Sequence, residues 1–66
     1  MEFSKGELAE AMRQIDSILH KLRAAVKTLE AKEDAGRYRP QMTLAARRIK
    51  ALEIARHLIC REIDAQ

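Results

Sequence analysis

Apolar residues recur through the first half of the chain at a strict spacing. Leu8, Met12, Ile15, Leu19, Leu22, Val26 and Leu29 follow one another at intervals of 4, 3, 4, 3, 4 and 3. This is the heptad seam of a helix packed along a neighbour, with Met12, Leu19 and Val26 at a and the four others at d. Ala11, Ile18 and Ala25 fall at the adjoining g position and widen the seam into a face. Glu10, Arg13, Gln14, Ser17, Lys21, Lys27 and Thr28 occupy the other side, where a solvated surface is the ordinary reading.

The start of this helix carries its own signal. Ser4 and Glu7 have the spacing of a capping box, and Phe3 and Leu8 that of a hydrophobic staple. The end is expected near Gly36, because glycine reaches the left-handed conformation that closes many helices. Pro40 disfavours helical geometry at Arg39 but suits a helix's first turn. The pattern therefore predicts helix 1 over about 5–34, a turn over 35–39 and helix 2 over about 40–64. A connection this short makes the two helices antiparallel neighbours. One helical domain spans 1–66.

Helix 2 has more apolar surface than one neighbour requires. Met42, Leu44, Ala45, Ile49, Leu52, Ala55, Ile59 and Ile63 are joined by a second row, Ala51, Ile54 and Leu58. At about 100° per residue these cover more than half the helix circumference. Arg48 and Arg56 flank that sector and suit the edges of a bundle. A lone pair of helices cannot surround such residues, and chains this short rely on disulfides, metal or association. The expectation is an all-α fold, an antiparallel helical hairpin assembling as a homodimer into a four-helix bundle, with a tetramer as the larger alternative.

Composition agrees. The 66 residues are 47% hydrophobic and 35% charged, with two glycines, one proline and two aromatic residues, Phe3 and Tyr38. Strong helix formers dominate, and a β-fold would need more turn residues and β-branched runs. The single cysteine, Cys60, has no partner within the chain, which suits a reducing compartment. No apolar run exceeds three residues, so no membrane span or signal-peptide core is expected and the chain reads as cytoplasmic.

Charge changes the picture at one place. Residues 4–34 carry six basic and six acidic side chains, whereas residues 35–52 carry Arg37, Arg39, Arg47, Arg48 and Lys50 and no acid. The net charge of +3 is thus concentrated at the turn and the first half of helix 2. Basic residues at a helix N-terminus oppose its dipole and leave the region receptive to anions. Phosphate or a nucleic-acid backbone is the matching ligand class. The plain alternative is a solubilising surface whose arginine stems lie over the bundle.

Other candidate chemistry is thin. Glu53, His57 and Cys60 stand at i, i+4 and i+7 on one side of helix 2, all of types that ligate metals, but no fourth ligand is offered nearby. Asp16 and His20 form another i, i+4 acid–histidine pair, which equally reads as a surface ion pair. Glycine-rich phosphate loops and the Glu-x-x-His spacing of helical di-iron sites are absent from the sequence. Cys60 lacks an evident base and oxyanion site. Neither a cofactor, a metal nor a catalytic residue is expected.

Two stretches taken together resemble a known group. Phe3-Ser4-Lys5-Gly6-Glu7-Leu8-Ala9-Glu10-Ala11-Met12 is followed by Arg48-Ile49-Lys50-Ala51-Leu52-Glu53-Ile54-Ala55 and then Leu58-Ile59. This order resembles short two-helix hypothetical proteins of Firmicutes-like bacteria and covers most of the chain. The group has no established activity, so the resemblance implies a fold and transfers no site residue. The turn Arg37-Tyr38-Arg39-Pro40 is where the chain departs from it.

The functional expectation is a small self-associating interaction or structural protein without catalytic activity. The alternative is nucleic-acid backbone binding by the dimer through the basic turn and the first half of helix 2. A third reading is a docking module for another protein's amphipathic helix.

Overall fold

A computed structural model describes residues 2–66. It contains helix α1 (Lys5–Glu30), a short 3-10 turn (Ala35–Tyr38) and helix α2 (Arg39–Ala65). Among the described residues there is no strand, and no helix is long and apolar enough to cross a membrane.

α1 starts where its cap dictates. The Glu7 amide donates to Ser4 Oγ at 3.1 Å, and the Ser4 amide donates to Glu7 Oε1 at 3.0 Å. Two amides of the first turn are thereby satisfied reciprocally. Leu8, the next residue, is buried, while Phe3 stays 56% exposed at the rim of a shallow hollow they share with Ile59.

α1 ends at Glu30, short of the expected residue 34, and Gly36 is not its cap. No described residue, glycine included, has a positive φ. The reason lies in the seam. After Leu29 the next a position is Glu33 and the next d position is Gly36, so nothing apolar holds further turns against α2. Glu30, Glu33 and Asp34 also crowd the negative end of the helix dipole. The chain instead tightens into the 3-10 turn, where the Arg37 amide donates to the Asp34 carbonyl at 2.9 Å. Lys32 Nζ lies 5.7 Å from the centroid of the half-buried Tyr38 ring, a cation–π contact across this link. α2 begins at Arg39, one residue before the expected start: Arg39 is helical although it precedes Pro40, which takes its place in the first turn as the sequence predicts.

Cross-helix contacts set the direction of packing. The Gln66 side chain donates to the Phe3 carbonyl at 3.1 Å, Arg56 pairs with Asp16, and Arg23 pairs with Glu53. Residue numbers fall on one helix as they rise on the other, so α1 and α2 lie side by side antiparallel. The molecule is a rod of 48 × 15 × 14 Å.

The packed faces follow the expected seams. Met12, Ile15, Leu22, Val26 and Leu29 are half-buried on α1, as are Ala45, Ile49, Leu52, Ala55, Ile59 and Ile63 on α2. Among the described residues only Leu8 and Leu19 are buried, at 5% and 2% exposure. The second row of α2 behaves differently. Ala51, Ile54 and Leu58 are exposed, together with Leu44 on α2 and Ile18 on α1.

Candidate functional site

The two long sides of the rod differ in chemistry. On one side an open groove of about 710 Å³ runs between the helices. Its walls are charged. Arg56 Nε approaches Asp16 Oδ1 at 2.5 Å, and Arg23 Nη2 approaches Glu53 Oε2 at 2.8 Å. His20, His57 and Cys60 complete the lining over Leu19.

Glu53, His57 and Cys60, grouped by their spacing, thus meet in one groove with Asp16 and His20. Both carboxylates there are already engaged by arginines. Among the described residues no three His, Cys, Asp or Glu side chains are disposed to hold a metal ion. Asp16 pairs not with its i+4 neighbour His20 but with Arg56 on the other helix. That hydrogen bond, with the charge behind it, raises the Arg56 pKa further above its ordinary value. Outside the groove, Glu10 accepts from Gln14 and from Arg13. These contacts, the Gln14 hydrogen bond foremost, hold its carboxyl below the usual glutamate value.

The cross-helix pairs are geometry that periodicity along one helix does not reveal, because it leaves the register between helices open. One signal was present in the sequence. Arg56 stands four residues after Leu52 and three before Ile59, in a seam slot where an apolar residue would otherwise sit.

Among the described residues the opposite side carries no such ion pairs. Ile18, Ala25 and Ala55 each lie two residues beyond a member of the cross-helix pairs (Asp16, Arg23 and Glu53), which turns them about 160° around their helices. They therefore share the side away from the groove. Leu44, Ala51 and Leu58 continue that apolar surface around α2.

The five basic candidates are all exposed, but they do not form one patch. Arg37 belongs to the 3-10 turn and pairs with Asp34 at 3.5 Å. Arg39 and Lys50 are eleven residues apart and align within about 20° on α2, with Arg47 about 60° away. Arg48 points about 160° from Lys50, onto the apolar side. Among the described residues, Arg39, Arg47, Arg48 and Lys50 have no ion-pair partner within the chain.

The chain exposes 5254 Å² of surface. A compact monomer of its mass, 7.6 kDa, exposes about 4,300 Å². The excess is about 1,000 Å², close to what each partner buries in a standard protein–protein interface.

Comparison with protein families, with curated proteins and with solved structures finds no match to this chain.

Proposed function

We propose that the chain is a self-associating helical hairpin that closes with a second copy into a four-helix bundle and serves an interaction or structural role without catalytic activity. The observation that carries this reading is the surface excess of about 1,000 Å² in a chain with only two buried residues among those described. A core that small leaves the pair of helices marginal alone, and covering the exposed Ile18, Leu44 and Leu58 supplies the missing burial. A two-fold dimer is the simplest closed assembly, and a tetramer would use the same surfaces again.

Light scattering coupled to size-exclusion chromatography over a dilution series tests this. A mass of two chains, falling toward one only at high dilution, is the expected result. A well-folded single chain at every concentration overturns it and leaves the exposed apolar side to a different protein.

A second reading rests on a separate observation. Arg39, Arg47 and Lys50 share a face of α2, are exposed and have no carboxylate partner among the described residues. Such a row suits a phosphate backbone, so on this reading the dimer binds nucleic acid without regard to sequence. Binding would weaken steeply with salt. It would vanish when Arg37, Arg39, Arg47, Arg48 and Lys50 are all made neutral; equal binding by that variant would eliminate the reading.

A further inference from the structure

We infer that the second copy seats on the side of the rod away from the charged groove, with α2 of the two copies antiparallel about a two-fold axis beside Ala55. This rests on the self-association reading above and specifies its interface. Three observations place the partner there.

The groove side is occupied by its own ion pairs. Seating a copy on it would strip water from Asp16, Arg23, Glu53 and Arg56, at a cost that apolar contacts there could not offset. The other side offers Ile18, Leu44, Ala51, Ala55 and Leu58, which lose nothing by leaving water.

Residue sizes fit an antiparallel α2 pair. Ala51 and Ala55 lie one turn apart and leave a shallow depression. With the axis beside Ala55, the exposed Leu58 of each copy falls over Ala51 and Ala55 of the partner subunit, large onto small. The exchange happens twice because the contact is isologous.

The charges of α2 are complementary to themselves when reversed. Arg48 stands seven residues before Ala55 and Glu62 seven after it. Both lie on this side of the helix, and neither has an ion-pair partner among the described residues. The same axis therefore sets Arg48 opposite Glu62 of the partner subunit, and Glu62 opposite Arg48 of the partner subunit. A parallel arrangement would instead bring like charges together. Opposite charges at the rim fix register and orientation more than they add raw affinity.

The test is a charge exchange, read by sedimentation equilibrium, with helicity checked by circular dichroism. R48E and E62R are each expected to weaken the dimer by about tenfold or more, since each sets like charges opposite. The double variant R48E/E62R is expected to return within about threefold of the parent, because the pair is restored in reverse. A double variant as weak as the singles, or singles that leave the dimer unchanged, overturns this placement while the self-association reading stands. A parent chain that stays monomeric overturns both. Leu58→Asp gives an independent readout: an unchanged dimer would also exclude this face, and a helical monomer supports it.

Discussion

Arg56 occupies a seam position of α2 between Leu52 and Ile59, and its guanidinium leaves the seam to meet Asp16 of α1, Nε to Oδ1, at 2.5 Å. An arginine thus stands where the heptad pattern asks for an apolar side chain. Both partners are close to half exposed, so the pair contributes little to stability and acts mainly to fix how the helices are aligned. Replacing Arg56 by methionine should raise the Tm, because the slot would then bury apolar surface between its two neighbours. A thermal melt followed by circular dichroism checks this. A fall in Tm would mean that the ion pair outweighs the packing.

Gly36 gives a prediction with the opposite sign to the one its sequence context suggests. Its φ is not positive, and a Cβ built on it meets nothing within 4 Å. Gly36→Ala should therefore stabilise the chain by about 0.4–1 kcal/mol, through reduced freedom of the unfolded state. Denaturant titration of the two chains reads the difference. Destabilisation would point to a left-handed residue after α1.

Leu19 is the most deeply buried side chain among the described residues, at 2% exposure. Leu19→Ala should cost about 2–5 kcal/mol, by lost transfer free energy and the cavity left behind. Leu19→Asp should abolish the fold by placing an unpaired carboxylate between the helices. Retained helicity and mass in the aspartate variant would mean that the seam is drawn wrongly.

Acid should loosen the first turns of α1 through Glu10. Its carboxyl is held below the ordinary glutamate value, first by Gln14 and then by Arg13. A lowered folded-state pKa stabilises the helix above the ordinary value, and that contribution disappears as pH falls through the lowered one. NMR titration of the Glu10 side chain should show a midpoint below the ordinary glutamate value. The double variant Gln14→Ala, Arg13→Ala should bring that midpoint back up toward the ordinary value.

Much of this architecture was legible along the chain because its cause is local. The Ser4–Glu7 cap needs only residues three apart, and the seam from Leu8 to Leu29 needs only the helical repeat. α1 ends before the residue its sequence context points to, because Gly36 permits a left-handed cap without requiring one. The deciding influence was the loss of apolar partners at Glu33, a tertiary effect. The charged groove was legible only in part. Glu53, His57 and Cys60 could be grouped by spacing, whereas their meeting with Asp16, His20 and Arg23 depends on how far one helix is slid along the other. The basic residues show the reverse error. Arg48 and Lys50 are close in sequence and share a sign, yet the turn of the helix sends them to nearly opposite sides.

The link over 31–38 has a consequence for how the chain reaches this shape. Few residues separate the last seam position of α1, Leu29, from the first of α2, Met42. Bringing them together closes a short loop, and each further cross-helix contact then zips outward toward Leu8 and Ile63 with little added entropy loss. A topology so local places the chain among the fast folders, in the microsecond-to-millisecond range. On the proposed assembly, joining two copies is bimolecular and slows on dilution. Refolding at low concentration should accordingly separate into a rapid first-order phase that restores helicity and a slower second-order phase that restores mass.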